Sequence, residues 1–73
     1  MNTIKTSKQL VDLYSPGAFL YHDKYNNSWI ILAKISVDEA EFIASSTISE
    51  EYAWDNAARE VCPYGVCVEY GYI

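Results

Sequence analysis

Two cysteines and a single histidine are the most reactive side chains in these 73 residues. Cys62-Pro63-Tyr64-Gly65-Val66-Cys67 separates its thiols by four residues, not by the two of a redox Cys-x-x-Cys. Two thiolates cannot close a structural zinc site, and His22 is the one imidazole available to help. A disulfide across this turn is geometrically possible, but a reducing cytosol would not preserve it. Free or partly buried thiols are therefore expected ahead of a disulfide, and a disulfide ahead of metal or redox work. His22 adjoins Asp23, as a general base adjoins its orienting carboxylate. Neighbours on a strand point to opposite faces, however, so the two side chains are not expected to meet.

The carboxylates are the other candidates. Asp38, Glu39 and Glu41, and the pair Glu50/Glu51, are dense enough to consider for a divalent cation. They lack the alternating oxygens and central glycine of a calcium loop. Asp38, Glu39, Glu50 and Glu51 instead sit where helix N-termini favour negative charge, and capping is their expected role. No glycine-rich phosphate cradle exists, since Gly17, Gly65 and Gly71 are scattered. No enzymatic activity, cofactor or metal is expected on these grounds.

Charge and tyrosine content point to binding. The net charge is −5, with +2 on residues 1–37 and −7 on residues 38–73. Five basic residues in all are too few for a phosphate-binding stripe, so direct nucleic-acid binding is not expected and a protein with a basic surface is. Seven tyrosines exceed what so small a domain can bury. Tyr25, Tyr52 and Tyr64 are the ones expected outside, where tyrosine brings area and a polar tip to interfaces at low entropic cost. Lying flat on the domain as partial core is their competing role. The expected partner-binding residues are Glu51, Tyr52, Asp55, Asp38, Glu41, Tyr25 and Tyr64.

The elements that must position these groups are organised around Trp29-Ile30-Ile31-Leu32-Ala33-Lys34-Ile35, the longest run of aliphatic, β-branched and aromatic residues. It is apolar on both sides apart from Lys34, which predicts an interior strand covered on each face rather than a buried helical segment. Ala18–Asp23 reads as its hairpin partner, with Phe19 and Tyr21 on one side and Ala18, Leu20 and His22 on the other. The Lys24–Ser28 turn is supplied with two asparagines. Thr6-Ser7-Lys8-Gln9 is a capping box that starts a helix running to about Tyr14, with Leu10, Val11, Leu13 and Tyr14 on one face; Ser15-Pro16-Gly17 ends it. Ser36-Val37-Asp38-Glu39 has the same box form and predicts a helix from Val37 to about Ser45, with Phe42 off its apolar stripe. Ser49 caps a further helix from Glu50 to about Cys62. It buries Ala53, Trp54, Ala57, Ala58 and Val61 and pairs Asp55 with Arg59 outside. Pro63 and Gly65 stop it. Val66–Ile73 alternates and reads as a last strand.

The sum is one small α+β domain over residues 1–73: a three-stranded sheet, made of the hairpin plus the C-terminal strand, with helices mainly on one face, in the order α-β-β-α-α-β. With 51% hydrophobic residues the chain should fold, and no apolar run approaches the ~18 residues that span a bilayer. The first six residues have no apolar h-region, so a cytoplasmic location is expected.

In size, acidity and lack of a catalytic motif, the chain resembles the small bacteriophage proteins that block host defence, of the anti-CRISPR and anti-restriction type. That resemblance implies a stoichiometric inhibitor of a nucleic-acid-handling protein, acting in the host cytoplasm. The competing expectation is a self-assembling module that forms a homodimer through an exposed sheet edge. A small enzyme using Cys62, Cys67 or His22 ranks third, because so small a domain hardly encloses a substrate pocket.

Overall fold

An aliphatic run of seven residues needs a hydrogen-bonded neighbour on each side, and residues 28–34 find both. A computed structural model describes residues 6–71. They form α1 (Ser7–Tyr14), β1 (Phe19–Asp23), β2 (Ser28–Lys34), β3 (Ala40–Ser46), α2 (Glu50–Val61) and α3 (Tyr64–Glu69). The strands make one antiparallel sheet in the order β1-β2-β3, with β2 in the centre. The expected α+β class and three-stranded sheet are observed. The observed order is α-β-β-β-α-α, and two elements differ from expectation.

The first difference is β3, which lies where a helix from Val37 to Ser45 was expected. The Ser36–Glu39 box forms a tight turn instead: Ile35 and Ser36 donate their N–H groups to the Glu39 carbonyl, and the Ser36 hydroxyl donates to Asp38. A local capping box contributes only about 1 kcal/mol. Completing the ladder along β2 outweighs it, because an apolar central strand otherwise leaves a whole row of backbone groups unpaired. Phe42, which fitted no helical stripe, fits the strand. Ile31 pairs with Ala44 and Leu32 with Phe42, which leaves Ile43 as an extra, bulged residue. The bulge lets Ile43 and Ala44 both pack toward the helices while Phe42 turns to the opposite face.

The second difference is α3, a helix where Val66–Ile73 was expected as a strand. Pro63 opens it as N-cap, its carbonyl accepting from Val66 and Cys67. Gly71 follows the C-cap at φ +79°, a left-handed conformation suited to glycine, and donates to the Val68 carbonyl. A proline just before a segment and a glycine just after it are helix punctuation. Here they prevail over a four-residue alternation. Among the described residues there is therefore no C-terminal strand, and β1 and β3 provide the sheet's edges. Tyr72 and Ile73 lie outside the described residues.

The other elements follow the expected chemistry. The reciprocal Thr6–Gln9 capping box starts α1, which buries Leu10 and Val11 completely but leaves Leu13 and Tyr14 exposed. The Asp23 carboxylate accepts the N–H groups of Tyr25 and Asn26 and the Asn26 side-chain amide, and Asn27 turns the hairpin at φ +49°. Ser49 caps α2 through the Tyr52 N–H. Ala53, Ala57 and Ala58 are fully buried beneath α2, where their small side chains let the helix lie close to β3 and α1. With Leu10, Val11, Ala18, Ile31, Ala44 and Trp54 they form the core between the helices and one face of the sheet.

Candidate interaction surfaces

The helix-side surface is built from α1 and α2 lying side by side. Ser7 donates its hydroxyl to the Asp55 carboxylate, which holds the start of α1 against the middle of α2. The Lys8 ammonium sits 5.3 Å from the centre of the Trp54 ring and 3.3 Å from the Asp12 carboxylate. Thr6, Ser7, Lys8, Glu50, Glu51, Trp54 and Asp55 enclose a cleft of about 540 Å³. Glu50 and Glu51, in the first turn of α2, stand exposed at this cleft, and neither forms an ion pair with a described residue. The cleft has the buried Trp54 indole at its floor, two carboxylates at its rim that pair with no described residue, and one lysine already engaged twice.

Of the seven residues expected to bind a partner, Glu51 and Asp55 meet here. Tyr52 is half-exposed on α2. The remaining four are dispersed. Tyr25 is fully exposed in the β1–β2 turn, whereas Asp38 lies in the β2–β3 turn at the other end of the sheet. Glu41 lines a second cleft of about 420 Å³ with Tyr14, Glu60 and Val61, near the C-terminal end of α2. Tyr64 is exposed at the start of α3. The expected Asp55–Arg59 pair is not formed: Asp55 serves Ser7, and Arg59 donates to Asn56, whose own amide caps the Ser45 carbonyl on β3. Sequence reasoning missed Lys8 and Glu50 as members of one cleft, because nothing local says that α1 lies beside α2.

The second surface was also missed as a surface. Directly paired residues point to the same side of a sheet. The row Phe19–Leu32–Phe42 and the adjoining row Tyr21–Ile30–Ser45 therefore share the face opposite the helices. No described element covers this face, contrary to the expectation that the central strand has cover on both sides. Phe19 is 40%, Tyr21 53% and Phe42 60% exposed, and Ile30 and Leu32 are half-buried. The alternation of β1 was the available signal: Phe19 and Tyr21 oppose the helix-facing Ala18 and Leu20.

The reactive side chains are placed apart from both surfaces. His22 stacks on Trp29, ring centres 4.9 Å apart and planes within 8°, while Asp23 is turned into the hairpin. Cys62 and Cys67 are free thiols. Burial, reinforced by the neighbouring Cys67 sulfur, pushes the Cys62 thiol up to about 11, which keeps it protonated and poorly nucleophilic at neutral pH. Among the described residues no three histidine, cysteine or carboxylate side chains gather as a metal site, and no helix is long and apolar enough to cross a membrane. In comparisons with known proteins, no family model, no curated protein and no solved structure matches the chain.

Proposed function

We propose that the chain is a small non-enzymatic binding protein that docks on a partner with a basic surface, through the acidic side of α2. The observation that carries this reading is the Glu50/Glu51 rim over the Trp54 floor. Carboxylates that pair with no described residue attract a lysine- or arginine-bearing surface over about 8–10 Å at ordinary ionic strength. Asp55 and Tyr52 extend the same side of the helix.

A groove built for nucleic-acid phosphates presents this kind of basic surface. A nucleic-acid-handling protein is thus the partner class proposed, and inhibition of the anti-CRISPR or anti-restriction type is the activity that follows from occupying such a groove. The site acts by charge and shape; no cofactor is invoked, and the host cytoplasm is the proposed place of action.

The test is affinity capture from bacterial lysate at low salt, with the wild-type chain and an E50K/E51K variant as baits. The expected result is a nucleic-acid-binding protein of high isoelectric point, retained by the wild type, released by raised salt and not retained by the variant. Capture of no such protein, or equal capture by the variant, would overturn the proposal.

A further inference from the structure

We infer that the open face of the sheet is the contact between two copies of this chain, stacked sheet to sheet about a two-fold axis. Three observations select a second copy as the occupant.

The first is area. Phe19, Tyr21 and Phe42 keep 40%, 53% and 60% of their surface exposed, and with the half-buried Ile30 and Leu32 they form one apolar patch on the order of a few hundred Å², a size at which a patch is often functional. The exposed Lys34, Ala40 and Ser45 extend the same face toward the ~800 Å² per partner of a standard interface. The second is chemistry. The two rows cross all three strands without a carboxylate among them; Glu50 and Glu51 lie with the helices, and Glu41 and Glu60 enter a cleft that Phe42 borders. Apolar rows of this kind complement themselves, whereas they offer a basic partner nothing.

The third is the position of the two charges that do flank the rows. Lys34 ends the central strand at one margin of the face and Asp23 ends β1 at the other. A two-fold axis in the plane of contact and perpendicular to the strands reverses one copy end for end. It thereby sets Lys34 of each copy toward Asp23 of the other, twice per dimer. Sheets stacked about 10 Å apart leave a lysine side chain enough reach for this. The same geometry turns both Glu50/Glu51 clefts outward, so this contact is independent of the docking proposed above.

Sedimentation equilibrium of the full chain from about 10 µM to about 1 mM tests the inference, over a range that brackets the affinity of a small apolar interface. A reversible monomer–dimer equilibrium is expected. Its salt dependence should be weak, because salt screens the Lys34–Asp23 attractions and the repulsion between two copies of −5 alike while the apolar contact is unaffected. F42K, at an exposed position, should weaken the dimer at least ~10-fold with an unchanged far-ultraviolet circular dichroism spectrum. Y21K serves as the second variant. K34D, which sets a carboxylate toward Asp23 of the other copy, should also weaken the dimer. A wild type monomeric throughout, including one whose open face is covered only by a different protein, overturns the inference. So does a dimer indifferent to both F42K and Y21K, which would place the contact at a strand edge.

Discussion

The two faces of the sheet are made by alternate residues of the same strands, yet they have opposite fates. On the helix side, Ile31 and Ala44 are buried under α1 and α2, among small or fully enclosed side chains. On the other side, Phe19, Tyr21 and Phe42 keep half or so of their surface in water. The residues left exposed are larger than most of those buried. Hydrophobicity alone does not decide burial; the supply of covering elements does. The short helices of a chain of this size cover one face, and no described element covers the apolar surface of the other.

The comparison breaks most readily at matched positions on the two faces. Ile31→Ala should lower unfolding free energy by about 2–5 kcal/mol, the cost of a cavity under the helices. Phe42→Ala should change it by less than about 0.5 kcal/mol. Urea unfolding at low micromolar protein checks both, and equal losses would mean that the open face carries monomer stability. Enlarging side chains gives the next effect. Ala57→Leu forces α2 away from the sheet and should cost about 1–3 kcal/mol, read as a lowered melting temperature, while Ala40→Leu on the open face should leave it nearly unchanged.

Smaller effects sharpen the origin of the covering layer. Ser49→Ala removes the acceptor for the Tyr52 N–H at the start of α2 and should cost about 1 kcal/mol in the same unfolding experiment. The smallest concerns the hairpin at the end of the open face. Hydrogen bonds from the Asn26 side chain and backbone, and then from the Tyr25 backbone, hold the Asp23 carboxyl below its ordinary value. A lowered native value means that the contribution is present above the ordinary carboxylate range and is lost as pH falls through the native value. Amide exchange at Tyr25 and Asn26, compared with exchange at the β2 centre and corrected for its intrinsic pH dependence, should lose protection on acidification. In Asp23→Ala that protection should be low at every pH.

What was legible followed from local chemistry. The Thr6–Gln9 box, the Asn26-Asn27 turn, the Ser49 cap and the Ala53–Trp54–Ala57–Ala58 stripe each act within one turn of chain, and each is found as read. The Pro63 to Gly71 punctuation of α3 is also present in the sequence, where the alternation of Val66 and Val68 masks it. The 37–45 segment differs in kind. Its capping box is a genuine local preference, and it loses to a ladder with β2 that no local pattern encodes.

The sequence by itself determined that the chain is a small α+β domain with a hydrophobic central strand and an excess of acid in its second half. Those are properties of composition, periodicity and spacing, which short-range forces read directly. Only the tertiary structure decided that residues 40–46 complete the sheet, that Glu50 and Glu51 meet Lys8 and Trp54 around one cleft, and that Phe19, Tyr21 and Phe42 stay uncovered. Each of these depends on which distant element arrives to pair or to cover, and that outcome is set by competition among long-range contacts over the whole chain.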